Sequence, residues 1–297
     1  MEPLCLAVDI GGTKMAAGLV DRDGEIRDDD HVPTPRSEDP EEVWAGLEGL
    51  IRGVAAHAGP GVLTVCGVGC GGPMEPGGAT VSPLNIGAWR GFPLRSRLVD
   101  LLGVPTAVDN DAKALALGER WRGAAVGCNN FIAMVVSTGV GGGIVLDGRL
   151  LDGRLGNAGH IGHVVVEPTG RLCSCGGYGC LEAEASGTAI AAVTGRPAAE
   201  ATPEVVARTG TLVGRAVASV ANLLDLDLAV VAGSVALGFG EPFFAAARAE
   251  IALRARMAFS VGTRIEPAGL GARGPLVGAG AVGWRMHDGG VLPGPAT

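Results

Sequence analysis

The chain has 297 residues, 47% of them hydrophobic and 18% charged, with a net charge of −8. That supports a sizeable core of one or two domains and excludes an intrinsically disordered chain. An acidic chain with no basic stripe disfavours a nucleic-acid partner. No apolar run reaches the ~18 residues of a membrane span, so no membrane partner is expected either. The best candidate, Leu212 to Leu237, is broken by Asn222, Asp225 and Asp227.

Taken in chain order, LCLAVDIGG (4 to 12) reads as a strand that stops at a glycine pair, and MAAGLVDRDGEI as the returning strand. The apolar run ends at Asp9 with no basic region before it, so it is not read as a signal peptide. A cytoplasmic protein with reduced thiols is the expectation. Residues 40 to 58 place Val43, Leu47, Leu50, Ile51 and Val54 on one helical face. Asp39 is the expected N-cap, Pro40 the first helical residue and Gly59-Pro60 the stop. VLTVCGVG (62 to 69) is the next strand. Residues 72 to 93 are rich in Gly and Pro without a period, forming a long loop that carries Asn85 and Trp89; loops of that length are functional or disordered. VPTAVDN (104 to 110) runs as a buried strand straight into a helix, DAKALALGERW.

FIAMVVSTGVGGGIVLDGRL (131 to 150) repeats the layout of the start: an apolar strand, a small-polar and glycine turn, then a strand ending in a D-G turn. Two such units about 130 residues apart suggest two related halves. Helices follow near 212 to 224 and 241 to 256, with a buried strand LAVVAG between them. A Gly/Ala-rich helix covers 277 to 287, and the last residues, GGVLPGPAT, read as frayed. Alternating strands and helices make this an α/β protein.

Three kinds of motif carry chemistry. DIGGTK (9 to 14) and STGVGGG (137 to 143) are glycine turns whose backbone amides suit phosphates, although a lone GGT is equally a hairpin turn. GVGCGG (67 to 72) matches a dinucleotide-binding fingerprint but runs into Pro73 instead of a helix. Asn110 and Asp111 stand where a strand becomes a helix. They read either as an N-cap or as an amide and a carboxylate facing a ligand at a strand's C-terminal edge, where Asp111 accepts a hydroxyl proton. His163-x9-Cys173-x-Cys175-x4-Cys180 supplies four ligands within 18 residues, a set for a closed tetrahedral structural Zn²⁺ site. Cys5, Cys66, Cys70 and Cys128 are expected to be small core residues. Only two of the 23 basic residues are lysines, Lys14 and Lys113, a compositional bias given no functional weight.

Together LAVDIGGTK, DNDAKALALGE, STGVGGG and GHIGH with CSCGGYGCLE resemble the ROK family of repressors and sugar kinases, over nearly the whole chain. The resemblance implies an actin-like ATPase (sugar kinase) fold: two α/β domains around a central cleft that holds the sugar. Residues 1–115, completed by a C-terminal helix at 275–297, would form one domain; 116–274, with the zinc site, would form the other. It implies an ATP:hexose 6-phosphotransferase with Asp111 as catalytic base. Gly72, Asn85, Asn110, His160, His163 and Glu182 would bind the sugar. ATP and Mg²⁺ would meet Asp9, Gly11, Gly12, Thr13, Lys14, Thr138, Gly139, Gly233 and Ser234. His163, Cys173, Cys175 and Cys180 match the family's zinc site, and a homodimer or homotetramer is implied. Glucokinases of this family read GE-x-GH where this chain reads GHIGH. Enteric N-acetylmannosamine kinases are similar to it at that position, so His160 weakens the glucose assignment without settling another sugar, with N-acetylmannosamine set ahead of glucose as a hypothesis. A spare metal ligand or a packing histidine is the other reading of His160. A neutral imidazole offers one donor and one acceptor where a carboxylate accepts two hydroxyls. A sugar-responsive transcriptional regulator of the same family, or a non-catalytic sugar-binding protein, is the alternative. The first is disfavoured by the acidic charge and the early phosphate motif, the second by the intact Asn110-Asp111 pair.

Overall fold

The computed structural model describes residues 2–293. The chain divides into two compact units. One comprises the described residues of Met1–Val126, Asp152–Asn157 and Gly269–Thr297; the other comprises Gly127–Leu151 and Ala158–Ala268.

In the first unit, strands β1 (Leu4–Ile10), β2 (Lys14–Val20), β3 (Ile26–Pro33), β4 (Leu63–Cys70) and β5 (Thr106–Asn110) form a sheet in the order β3-β2-β1-β4-β5. β2 runs antiparallel to β1 and β3, whereas β4 is parallel to both β1 and β5. Helices α1 (Pro40–Ala55), α2 (Leu94–Leu102) and α3 (Asp111–Arg122) belong here, as does the C-terminal helix α9 (Gly274–His287). β1 is apolar on both sides because both are covered. Leu6, Val8 and Ile10 share a cluster with Val43, Leu47 and Ile51 of α1, while Cys5 lies against Gly283 of α9. α9 approaches the sheet so closely that a Cβ on Gly67 would stand 2.0 Å from the Ala279 carbonyl oxygen. Asp39 caps α1 as expected, its carboxylate accepting the Glu41 N–H at 2.9 Å, a contact worth about 1 kcal/mol.

The second unit holds β6 (Phe131–Val136), β7 (Val140–Leu146), β8 (Arg149–Leu150), β9 (Leu228–Ala232) and β10 (Arg264–Pro267), in the order β10-β9-β6-β7-β8. Its helices are α4 (Leu181–Ala185), α5 (Gly187–Thr194), α6 (Pro203–Leu224), α7 (Ser234–Phe239) and α8 (Glu241–Arg254). Leu212, Val213 and Val217 of α6 pack with Phe243, Ala247 and Ile251 of α8 in its core. Read from the hairpin edge, the two sheets run 3-2-1-4-5 and 8-7-6-9-10. The strand order repeats with a shift of five, as the repeated layout in the sequence suggests.

Several expectations need correction. The first unit keeps all of α3 and runs past residue 115 to Val126. The reason is Glu119, fully buried, whose carboxylate accepts the N–H groups of Ala124 (2.7 Å), Gly269 (3.0 Å) and Leu270 (3.1 Å). Segment 152–157 also belongs to the first unit. The C-terminal helix stops at His287. Of the tail expected to fray, Gly289 and Gly290 still donate to Met286 and Arg285, and residues 294–297 lie outside the described residues. Segment 72–93 is neither structureless nor one open loop. Met74, Val81 and Phe92 are bridged, and Trp89 is fully buried, stacked on Phe92 with ring centroids 4.3 Å apart. Cys128 is half-buried, unlike Cys5, Cys66 and Cys70. Among the described residues no helix is long and apolar enough to cross a membrane.

Candidate functional site

In the first unit the site grows from the C-terminal ends of three parallel strands. Register places Asp9, Gly69 and Asp109 side by side on β1, β4 and β5, with Ile10, Cys70 and Asn110 in the next row. Open α/β sheets gather their ligands at such edges. Asp111 follows at once as the first residue of α3 and is exposed. Asp9 is more deeply placed: burial, and then the charge of Asp111, push its carboxyl up to about 7, with Lys14 opposing. Burial, Asp111 and Asp9 likewise push the Cys70 thiol up. Of the two readings of Asn110, the cap is seen directly. Its Oδ1 accepts the Ala112 N–H at 3.0 Å as the helix cap, and its Nδ2 is turned towards Gly72. Between β1 and β2, residues 11–13 make a tight hairpin turn, closed by Gly11 N–H to the Lys14 carbonyl at 3.0 Å and braced by Thr34 Oγ1 on the Gly11 carbonyl at 2.6 Å. Thr13 and Lys14 are exposed at its tip, and Asn85 packs directly against Gly12. Asp9, the glycine turn, Gly72, Asn85, Asn110 and Asp111 thus occupy one edge of one unit.

A second group assembles in the other unit. The turn after β6 is held from three sides. Ser137 Oγ meets Ser234 Oγ at 2.9 Å, Thr188 Oγ1 donates to the Thr138 carbonyl at 2.9 Å, and the Val140 N–H donates to Glu182 Oε2 at 2.9 Å. Thr138, Gly139, Glu182 and Ser234 are therefore brought together, with Gly233 at the end of β9 lying against Val136. One Glu182 oxygen is committed to this turn. His160 is exposed, and its ring centroid is 6.0 Å from that of His163.

The cysteine cluster closes on itself. One ligand atom each from His163, Cys173, Cys175 and Cys180 lies within 4.8 Å of every other. Cys175 and Cys180 sulfurs are 3.7 Å apart, as are the Cys173 sulfur and His163 Nδ1. No disulfide links these free thiols. A tetrahedron with metal–sulfur bonds of ~2.3 Å has edges of about 3.8 Å, so the residues fit a zinc ion. Burial, and then hydrogen bonds with the neighbouring Cys175 and Cys173, push the Cys180 thiol up to about 12, a shift that binding of the thiolate to a dication would oppose. Gly179 is required in the knuckle: its φ is +68°, and a Cβ there would stand 1.6 Å from the Glu167 carbonyl oxygen. His163 turns Nδ1 to the Cys173 sulfur.

A model of the ROK family matches residues 5–284. The chain belongs to the ROK family. An N-acetylmannosamine kinase of Escherichia fergusonii is 38% identical over 250 residues, covering 79% of this chain and 84% of that protein. A ROK family glucokinase from Streptomyces griseus, solved with glucose and AMPPNP, is 30% identical with a TM-score of 0.79, covering 94% of this chain and 99% of that one. A ROK hexokinase from Thermus thermophilus is 32% identical with a TM-score of 0.81, covering 97% and 100%. The two five-stranded α/β sheets have the actin-like ATPase fold of these sugar kinases.

Sequence reasoning missed several supports of these residue groups in the ROK chain. Ser137 and Thr188, which hold the second turn, carry no signal beyond small polar side chains. Glu184 is buried and accepts from Arg171 N–H at 2.7 Å and Arg208 Nη2 at 2.7 Å, tying the cysteine knuckle to α4 and α6. A carboxylate four residues after a ligand cysteine was its only mark.

Proposed function

We propose that this protein is an ATP-dependent sugar kinase acting on the 6-hydroxyl of a hexose or N-acylhexosamine, with N-acetylmannosamine ahead of glucose. The observation that carries the reading is Asp111, an exposed carboxylate at a helix start beside the half-buried Asp9. One carboxylate faces a substrate hydroxyl while its neighbour is fitted to a cation. Relatives that are N-acetylmannosamine kinases, glucokinases and hexokinases support the same chemistry.

In this mechanism Asp111 takes the proton of the sugar hydroxyl as that oxygen meets the γ-phosphate in line. The glycine turn at Gly11, Gly12, Thr13 and Lys14 and the turn at Thr138 and Gly139 hold ATP phosphates through backbone N–H groups. Gly233 and Ser234 meet the adenosine. Asp9 would hold Mg²⁺, which supplies charge neutralisation on the phosphates when bound. Gly72, Asn85, the Asn110 amide, His160, His163 Nε2 and the free Glu182 oxygen orient the sugar. His163, Cys173, Cys175 and Cys180 would hold a structural Zn²⁺, which would supply a fixed anchor for the segment that carries His160 and His163. A homo-oligomer in the cytoplasm is part of the proposal.

The sugar preference rests on His160. A neutral imidazole lacks the charge and second acceptor with which a carboxylate holds two hydroxyls, so it loses more with glucose than with an acetamido sugar. The test is His160→Glu in an ATP-coupled assay, with glucose turnover expected to rise relative to N-acetylmannosamine. An unchanged ratio would remove His160 as the selector.

A further inference from the structure

We propose that Lys113 is a positioning residue for the Asn110–Asp111 turn, acting by clamping Asp109 and segment 152–157 onto the first turn of α3. The inference deepens the kinase reading, on which only its turnover measurement depends.

Lys113 is 3% exposed, two residues beyond Asp111. Its ammonium lies 2.8 Å from Asp109 Oδ1, 2.7 Å from Asp152 Oδ1 and 3.3 Å from the Gly156 carbonyl oxygen. Each of its three donors has an acceptor. The same Asp109 oxygen accepts the Asn110 backbone N–H at 2.8 Å. A continuous link therefore runs from the ammonium through Asp109 to the backbone of the turn that presents Asp111. On the other side Asp152 is shared with Arg285 of α9, at 3.4 Å. Segment 152–157 is where the chain re-enters the first unit between two stretches of the second, so Lys113 anchors that passage to the helix that begins with Asp111.

The residue type fits the place. Arginine supplies 21 of the chain's 23 basic residues, yet this buried position holds lysine. A compact ammonium reaches three acceptors lying in different directions, whereas a planar guanidinium presents its donors in a fixed fork. Burial pushes the Asp109 carboxyl above its ordinary range, with Lys113 opposing. Deleting the ammonium would leave that carboxylate buried without its counter-charge, and the Asn110 N–H would lose a fixed acceptor.

The experiment uses Lys113→Met, which keeps the stem and removes the ammonium, in the full chain. Expected are a fall in kcat of ~10-fold or more with KM for ATP and sugar within ~3-fold, since sub-ångström misplacement of a reacting group costs rate. Hydrogen exchange should quicken ~10-fold at the amides of 110–112 and 152–157 but not in β1 or β4. A role in stability alone would lower the melting temperature and leave kcat in place. A folded Lys113→Met with kcat within twofold of wild type and unchanged exchange at 110–112 would overturn the proposal. Should that variant fail to fold, Asp152→Asn carries the test: it weakens one of the three contacts, and exchange at 110–112 and 152–157 identical to wild type would overturn the proposal equally. Wild-type protein inactive on every sugar would defeat the kinase reading instead, with the exchange data still deciding the role of Lys113.

Discussion

Asp9 and Asp111 form a pair in two different environments, one half-buried and one exposed. Burial first, and the Asp111 charge second, raise the Asp9 carboxyl from 3.8 to about 7. A group raised in this way keeps its proton in the folded chain after the unfolded chain has released it. Its contribution therefore weakens stability progressively as pH rises from about 4 to about 7 and is constant above that. Asp111→Asn removes the second cause and leaves the first. The Asp9 titration midpoint, followed by carboxyl NMR, should fall yet stay above 3.8, while turnover drops by more than ~10². An unmoved midpoint, or turnover within a few-fold of wild type, would separate the two residues and remove Asp111 as the base. At this scale the sequence was informative where residue type and chemistry coincide. Asn110 could be read as a cap or as a ligand, and the structure shows the cap. Lys113 and Glu119 stood in the same motif without an assigned part, because their partners at 152 and at 269–270 are distant in sequence and only the fold brings them near.

Among the elements, the cysteine knuckle is the one that depends on something other than apolar packing. It should bind one zinc per chain, and Cys175→Ser should lose metal and melting temperature together, since structural zinc contributes directly to folding. Gly179→Ala should do the same without touching a ligand, because its Cβ has no room beside Glu167. Metal analysis and thermal melts decide this: zinc-free protein whose melting is unaffected by a chelator would contradict the account. The grouping of His163, Cys173, Cys175 and Cys180 was legible because its spacing is local. Long amphipathic helices such as α1 were legible too, by period and cap. β3 was not, since IRDDDHVP is an exposed, acidic edge strand with no apolar alternation. α2 follows Pro93, which offers no side-chain cap, and α4, α5 and α7 are too short to show a period. α6 begins at Pro203, nine residues before its expected start, because its first turns carry few buried side chains.

For the molecule as a whole, the alternation of elements announced an α/β protein, and the repeated strand–turn–strand layout foreshadowed two sheets of the same order. The division of the chain was harder to see. Glu119 and Lys113 draw 123–124, 152–157 and 269–270 into the first unit, and such long-range hydrogen bonds leave no periodic trace. Family membership follows from the match across residues 5–284, and the central claim is that this ROK chain transfers phosphate from ATP to a sugar. Its most direct test is steady-state turnover of the wild-type chain with ATP, Mg²⁺ and a panel containing N-acetylmannosamine and glucose, with the product identified by NMR. The account predicts sugar-dependent ADP formation, a 6-phosphate product and a higher kcat/KM for N-acetylmannosamine than for glucose. ADP formation indifferent to every sugar would contradict the kinase assignment, and a preference for glucose of more than ~10-fold would contradict the role given to His160.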